Sequence, residues 1–384
     1  MVGVSPGIHV ARIELTDFRC YSTTQLDFPL GVTVITGDNG QGKTSILESV
    51  AWGALGRSFR GVPDAALVKS GQTEAIIRTF LTAPTRTRKI EVGLRRVGRN
   101  QMLLDGNSIT RLRDLLGVLR VTIFAPDDLV LIKGGPANRR LFIDELLTTM
   151  NPRFMGVRAD YDRVVRHRNA LLRGGLKGAD ARATLAVFNE QLVVAAAELL
   201  EGRINLLDQI FPEVQAAYQE LAVEPVSLSA RYFCDWTTSD SKAAPIELTN
   251  PLSRAELSEI LITAIGEIET RERERGTTLV GPHRDEWSLG LGGLESRSQA
   301  SQGEQRTLAL ALRLAGHRAV GSAFGEEPVL VLDDVFSELD EYRSSALVER
   351  LAAPQTLVST AGALPAGVQV TGRIRVANGK ATFE

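Results

Sequence analysis

Three short stretches of this 384-residue chain carry residue types suited to phosphate chemistry. Gly37-Asp38-Asn39-Gly40-Gln41-Gly42-Lys43-Thr44 fits the phosphate-loop pattern G-x-x-x-x-G-K-[ST] in full. Glycines let successive backbone N–H groups turn inward into a concave anion site, and the helix that follows adds the positive end of its dipole. Lys43 would then reach the β- and γ-phosphates of ATP, the Thr44 hydroxyl would ligate Mg²⁺, and the stretch from Gly37 through Ser45 would line the phosphates. The second stretch, Pro328-Val329-Leu330-Val331-Leu332-Asp333-Asp334, reads as a buried parallel strand ending in two carboxylates. Functional groups sit at the carboxyl ends of such strands. Asp333 is placed to hold Mg²⁺ and Asp334 to orient or deprotonate an attacking water. The third, Ser301-Gln302-Gly303-Glu304-Gln305, stands at a helix start, where Ser301 and Gly303 offer donors to a second phosphate. Each has a plainer reading: a glycine-rich turn, an ordinary strand-to-loop aspartate, a simple helix cap. Their coexistence in one chain favours the chemical reading.

The elements needed to position these residues are legible. Val10 to Leu15, Gln25 to Phe28 and Val32 to Ile35 read as strands, the third feeding the glycine turn and a helix from Lys43 to Leu55. Residues 73–123 alternate β-like runs with turns, Asp105-Gly106-Asn107 being a hairpin signal. From about Arg139 to Leu221 the pattern is helical. Leu185, Phe188, Leu192, Ala196, Leu199, Leu206 and Ile210 fall mostly on one face, and Phe211-Pro212 is expected to end or kink that helix. Residues 224–253 look like strand fragments and loop, and Ser253 with Glu256 forms a capping box for a helix to about Arg275. After Gly281-Pro282 the α/β character returns, with a helical run from Arg306 to Val320 ahead of the second stretch. The expected fold is α/β, a phosphate-loop ATPase head with an inserted, mainly helical second lobe. Its divisions are expected at residues 1–130, 131–275 and 276–384.

Bulk properties narrow the classes. The chain is 43% apolar and 23% charged, with 44 Lys and Arg against 46 Asp and Glu, a balance that says nothing in favour of wholesale coating of nucleic acid, so any basic surface must be local. Cys20 and Cys234 fit no metal or disulfide spacing. Met1 to His9 lacks the features of a signal peptide, and no run approaches the roughly 18 apolar residues of a membrane span, so a cytoplasmic location is expected.

Taken together, the phosphate loop, S-Q-G-E-Q and Leu332 to Asp340 (L-D-D-V-F-S-E-L-D) resemble an ABC/SMC-type ATPase head, and specifically the RecF family. Asp17-Phe18-Arg19, Gly56 to Arg60, Gly134-Gly135-Pro136 with Arg139-Arg140, and Gly281 to Asp285 are similar to that family's segments in the same order. The resemblance covers the chain from about Val10 to its end. It implies a head-to-tail homodimer that forms with ATP, each nucleotide lying between one phosphate loop and the Ser301 and Gly303 of the other copy. Gln305 would belong to the same nucleotide-binding segment, and Ser337 and Asp340 to a loop crossing the interface. It implies binding to gapped duplex or single-stranded/double-stranded junction DNA, cooperation with RecO and RecR, help in loading RecA, and a nucleoid-associated role in repair, replication, recombination and the SOS response. Two departures from the wider ABC pattern stand out. Asp334 occupies a position usually held by glutamate, predicting slow hydrolysis, and no switch histidine follows in Gln355 to Thr360. Gln72 and the Asp127-Asp128 turn are the candidates for a glutamine-loop role.

The DNA contact is expected from local charge. Arg153, Arg158, Arg163, Arg166, Arg168, Arg173, Lys177 and Arg182 fall within residues 151–182 against three aspartates, and such a cluster neutralises phosphates without reading sequence. A solvated helix face is the plainer reading, and Arg57 and Arg60 are alternatives. Two other functions share the phosphate loop. The ATP-binding subunit of a membrane transporter would place its signature soon after the loop, whereas 258 positions separate Lys43 from Ser301 here. A small-molecule kinase leaves Ser301 to Gln305 unexplained.

Overall fold

The chain begins with three strands, β1 (His9–Phe18), β2 (Tyr21–Asp27) and β3 (Gly31–Thr36), and β3 runs into helix α1 (Lys43–Leu55) through the glycine turn. These belong to a computed structural model that describes residues 7–83, 86–174, 179–224, 226–234, 236, 246–248, 252–350 and 353–384. Strands β4 (Glu74–Ala83), β5 (Arg86–Arg95), β6 (Gln101–Leu104), β7 (Asn107–Ile109) and β8 (Val121–Phe124) follow. Helices α2 (Val130–Lys133), α3 (Pro136–Met150), α4 (Arg153–Arg173) and α5 (Ala179–Leu221) come next, then β9 (Leu228–Cys234), β10 (Ile246–Glu247) and α6 (Arg254–Arg275). Strands β11 (Glu286–Leu291) and β12 (Leu294–Glu295) precede α7 (Ser296–Gln299) and α8 (Gln302–Phe324). The chain finishes with β13 (Val329–Asp333), α9 (Glu341–Arg350), β14 (Gln355–Thr360), β15 (Val370–Ala377) and β16 (Lys380–Phe383).

Two compact units result. The first comprises Met1–Asp128, Ala217–Val223 and Leu310–Glu384, and the second Leu129–Ala216 and Glu224–Ala309. The expected third segment began at residue 276, but 276–309 groups with the second unit because β11 pairs along its whole length with β9. That lobe is accordingly not helical throughout: it carries a four-stranded sheet of order β10-β9-β11-β12.

In the first unit an antiparallel sheet of order β2-β1-β4-β5-β6-β7 and a second sheet of order β16-β15-β3-β14-β13-β8 share one hydrophobic core. The second sheet is parallel except for its β16 edge. Strands β13 and β14 are buried at every residue, as the continuous apolar pattern of Val329 to Leu332 demands. Helix α1 touches strands of both sheets, so Ile46, Leu47, Val50 and Trp52 on different faces are all buried. The expected hairpin is present: Leu104 pairs with Asn107, and Asp105 and Gly106 both take positive φ, the geometry of a two-residue turn that follows strand twist.

In the second unit, α5 buries Leu185, Leu192, Ala196, Leu199, Leu206 and Ile210, the face expected from spacing. It does not end at Pro212, one of the two expected outcomes, but continues to Leu221, its residues from Ala217 belonging to the first unit. Buried Ile210, Val214, Ala217 and Tyr218 on either side outweigh the one hydrogen bond that proline forfeits. This helix is also the one, among the described residues, long and apolar enough to cross a membrane by length and composition, although Glu198, Glu201, Arg203 and Asp208 break its apolar run. Its apolar residues are interrupted by Arg203, which is buried against Asp144 at 2.7 and 2.9 Å and donates to the Pro282 carbonyl at 2.7 Å. The capping box is formed: Ser253 Oγ accepts from the Glu256 N–H, and the Glu256 carboxylate accepts from the Ser253 N–H at 2.8 Å. The Gly281 to Asp285 and Arg139-Arg140 segments are joined within this unit. Arg139 is bidentate to Glu286 at 2.8 and 2.9 Å, and Arg140 donates to the Asp285 carbonyl. The Asp285 carboxylate is fully buried, accepting from Tyr232 at 2.6 Å and from Trp236 Nε1.

Candidate functional site

Strand register builds the site in the first unit. Ile35 of β3 is paired with Ser359 of β14, and Ser359 with Asp333 of β13. With strands about 4.8 Å apart, the end of β13 is two strands from the start of the phosphate loop, within reach of the first turn of α1. Thr44 Oγ1 donates to Asp333 Oδ1 at 2.8 Å, and Ser359 Oγ donates to the same oxygen at 2.6 Å. Two hydroxyls on one carboxylate oxygen are charge-assisted hydrogen bonds that favour its ionised form. Burial acts the other way and dominates, holding the Asp333 carboxyl above its ordinary value despite those hydroxyls and the nearby charge of Arg60.

The phosphate loop is shaped by close approaches. Gly37, Gly40 and Gly42 all take positive φ. A Cβ on Gly37 would lie 2.2 Å from the Val376 carbonyl oxygen, and one on Gly42 would lie 2.6 Å from Cys20 Sγ and 2.8 Å from the Tyr21 hydroxyl. Lys43 is 6% exposed, with Nζ donating to the carbonyls of Gly37 at 2.6 Å and Asp38 at 3.0 Å. That cage holds the ammonium over the mouth of the loop. Gln41 Oε1 accepts from the Asn378 N–H at 2.7 Å, so the β15–β16 turn braces the loop from behind.

Asp334 sits at φ +49°, a left-handed conformation that aspartate tolerates better than most side chains. Its N–H is held by Ser359 through both the carbonyl and Oγ, each at 3.1 Å. Its Oδ1 is buried without a hydrogen-bond partner among the described residues. An unpartnered buried carboxylate oxygen is an acceptor in search of a donor. Asp334 lines a cavity of about 640 Å³ with Lys43, Thr44, Ser359, Arg19, Arg60 and Arg96. Three arginines and a lysine around one cavity suit a polyanion.

The remaining expected residues lie as follows. Asp38, Asn39 and Gly40 are exposed on the loop, and Ser45 lines the cavity. Ser301, in the second unit, is exposed and caps α8: its Oγ accepts from the Glu304 N–H at 3.3 Å while the Glu304 carboxylate accepts from the Ser301 N–H at 2.7 Å. Gly303 follows in the first turn. Gln305 departs from expectation. Its amide is buried and donates to the carbonyls of Ser296 at 2.9 Å and Arg297 at 3.0 Å, so that amide is spent bracing α7 against α8. Ser337 Oγ donates to the Asp334 carbonyl at 2.7 Å, and Asp340 caps α9 through the Arg343 N–H at 2.8 Å; both are exposed. Asp128 is used internally, accepting from Arg313 at 2.6 Å, and Gln72 is exposed outside the cavity lining.

The basic cluster divides. Arg168 is removed from the DNA-contact set: it is fully buried, donating to Glu272, Asn189 and Thr278. Its spacing placed it on the inner face of α4. Arg153 pairs with Glu198 at 2.6 Å and Arg158 with Asp144 at 3.0 Å. Arg163, which pairs with Asp160, and Arg166 and Arg173 are exposed along one face of α4; Lys177 lies outside the described residues. Sequence reasoning missed Ser359, whose role depends on register, and Arg19 and Arg96 as cavity residues, which come together only in the fold; Arg60, expected either at DNA or near the nucleotide, lines the cavity.

Comparison with known proteins agrees with this geometry. Residues 9–361 match the family described as RecF/RecN/SMC N terminal domain. A DNA replication and repair protein RecF of Renibacterium salmoninarum is 40% identical over 96% of this chain and 98% of its own length. One of Streptomyces avermitilis is 41% identical over 92% and 93%. A solved structure of the recombination mediator protein RecF, described as "RecF-ATPrS in RecFOR pathway", superposes with TM-score 0.89 at 26% identity, covering 99% of both chains. A Pyrococcus furiosus Smc head with extended coiled coil superposes with TM-score 0.54 at 14% identity, over 98% of this chain and 96% of that one, and shares the fold. The chain belongs to the RecF family of DNA replication and repair proteins, ATP-binding members of the SMC-like ABC ATPase heads.

Proposed function

We propose that two copies of this chain close on ATP and thereby clamp gapped or junction DNA, and that slow hydrolysis releases the clamp. The observation that carries this reading is the cluster of Thr44, Asp333 and Ser359 beside the unpartnered Oδ1 of Asp334. It joins the ends of β3, β13 and β14 at a single phosphate cradle. Lys43 and the backbone N–H groups of Gly37 to Ser45 bind the β- and γ-phosphates. The Thr44 hydroxyl and Asp333 carboxylate are hard oxygen donors of the kind that Mg²⁺ takes, and the bound ion would neutralise charge on the phosphate oxygens. Asp334 accepts a proton from the attacking water as the bond from the γ-phosphorus to the departing ADP oxygen breaks. Its carboxylate is one methylene shorter than the usual glutamate, which favours slow turnover and a long-lived closed state.

Ser301 and Gly303 of the second copy would complete the site at the γ-phosphate, with Ser337 and Asp340 at the interface. ATP then acts as a switch by binding the closed dimer more tightly than the open chain. Arg163, Arg166 and Arg173 are the DNA-phosphate contacts this reading favours. Family membership supports a partnership with RecR and RecO, RecA loading, and a cytoplasmic, nucleoid-associated location as part of this reading. The test is analytical ultracentrifugation without and with ATP, on wild type and Ser301→Arg. Wild type should dimerise with ATP, while the variant should bind ATP and stay monomeric. A wild-type chain that remains monomeric in saturating ATP at every salt concentration sinks the clamp.

A further inference from the structure

Glu48 lies one turn along α1 from Thr44 and is completely buried. A carboxylate on the inner face of a helix is costly unless it is fully paired, and Glu48 is. Arg19 donates to it in a fork, Nε to Oε2 at 2.8 Å and Nη2 to Oε1 at 2.9 Å. The Ser58 hydroxyl donates to Oε1 as well. Arg19 itself lines the 640 Å³ cavity, and Ser58, buried behind it, stands two residues before the lining residue Arg60. Arg19 sits at φ +54° in the β1–β2 turn and itself lines the cavity beside Cys20. Its Nη1 donates to the Ala66 carbonyl at 3.2 Å, and its N–H to the Leu67 carbonyl at 2.7 Å, so the turn carries residues 66–70 with it; Ala66, Val68 and Ser70 are lining residues. Ser58 Oγ accepts from the Arg60 N–H at 3.1 Å and so fixes the loop that presents Arg60 to the same cavity.

We propose that Glu48 is the positioning residue of the nucleotide pocket: a buried carboxylate that fastens the Arg19 turn and the Arg60 loop to the helix bearing Lys43 and Thr44. The bidentate fork fixes the guanidinium plane as well as its position, and the third bond sets the second wall relative to the first. Arg19 is thereby held by its Glu48-facing edge, with one N–H each on Nη1 and Nη2 not used by these three bonds. Glu48 touches no substrate; it acts through Arg19 and Ser58. This rests on the reading of the cavity as the ATP site.

The experiment measures the ATP Kd with a fluorescent ATP analogue, together with thermal unfolding, for full-length wild type, Lys43→Ala, Glu48→Gln, Arg19→Ala, the Arg19→Ala/Glu48→Gln double variant and Ser58→Ala. Losing a charge-assisted fork costs about tenfold or more in affinity, so Glu48→Gln should raise the Kd by about that factor. Removing Arg19 should then add little in the Glu48→Gln background, because its position is already lost. Ser58→Ala keeps the ion pair and should raise the Kd of the folded protein a few-fold, alongside the fall in unfolding temperature that a lost buried hydrogen bond brings. A residue that only stabilised the fold would shift unfolding and leave the Kd of folded protein alone. An unchanged Kd in Glu48→Gln, or additive effects of Arg19→Ala and Glu48→Gln, overturns the proposal. If Glu48→Gln does not fold, Ser58→Ala decides it, an unchanged Kd counting against. Wild type and Lys43→Ala binding ATP equally well would instead sink the reading of the cavity itself.

Discussion

Ser359→Ala tests whether strand register builds the chemistry. Ser359 is fully buried, and its hydroxyl donates to Asp333 Oδ1 at 2.6 Å while accepting the Asp334 N–H at 3.1 Å. The first bond is charge-assisted and worth about 1.5–3 kcal/mol. The second is duplicated by the Ser359 carbonyl, which alanine keeps. At about 1.4 kcal/mol per factor of ten, the variant should hydrolyse ATP roughly ten to a hundred times more slowly. ATP affinity should change little, since Lys43 and the loop glycines are untouched. A second readout fixes the cause. Removing a donor to the charged form raises a carboxyl pKa, and burial already holds Asp333 above its ordinary value. The acid limb of the pH–rate profile should therefore move to higher pH in the variant. The assay is phosphate release at saturating ATP from pH 5 to 8. Wild-type turnover with an unmoved acid limb would refute the reasoning. A fall in unfolding temperature alone would reduce Ser359 to a packing residue.

Three further outcomes follow from the second unit. Arg168→Ala leaves the Glu272 carboxylate buried without its cation and should lower unfolding stability by about 3–5 kcal/mol, measured by urea denaturation, with no change in the salt dependence of DNA binding. Arg163→Ala with Arg166→Ala should leave stability nearly unaltered and make the slope of log K against log salt shallower by roughly two; an unchanged slope removes α4 from the DNA surface. His283 contributes a pH dependence. Burial, with lesser contributions from Arg284, Arg140 and Arg203, lowers its pKa from 6.5 to about 4, against the hydrogen bond with the Thr278 carbonyl. The folded state thus binds the proton more weakly than the unfolded chain. Stability is fully present above pH 6.5 and is lost as pH falls toward 4, by about 3 kcal/mol. In His283→Gln this part of the acid sensitivity should disappear from unfolding curves between those limits, and a wild-type pH dependence in the variant would count against it.

What was legible in the sequence was whatever local spacing encodes. Gly37 to Thr44 announces itself because the cradle is contiguous, and Val329 to Leu332 because a strand covered on both faces must be apolar throughout. The Ser253–Glu256 box and the Asp105-Gly106 turn are equally local, and both formed as expected. What depended on tertiary neighbours was not legible. Ser359 lies in a segment without a local motif, and nothing nearby reveals that β14 runs between β3 and β13. Arg168 counted as one more charge in a basic run, although its place on α4 sets it opposite Glu272, over a hundred residues away. Pro212 carries a strong local stop signal that buried neighbours overrode.

Ser301 shows why the choice between a structural and a chemical role can be a false one. Simple helix capping was the plainer reading of this serine, and the capping bond is present, Glu304 N–H to Ser301 Oγ at 3.3 Å. In that bond the hydroxyl oxygen is the acceptor. A serine hydroxyl has two lone pairs and one proton, so capping leaves that proton available to donate. The reciprocal bond from the Ser301 N–H to Glu304 at 2.7 Å fixes the backbone, and with it the point from which the hydroxyl projects, at an exposed helix start. Capping therefore preorganises the donor that a γ-phosphate from a second copy would meet. Ser301→Asp separates the two roles: aspartate is an equally good cap, so folding should be retained, whereas its negative charge opposes a phosphate. Normal unfolding with loss of the ATP-dependent dimer in the ultracentrifuge would assign both functions to one hydroxyl; an ATP-dependent dimer that survives the added charge would leave the cap as its whole role.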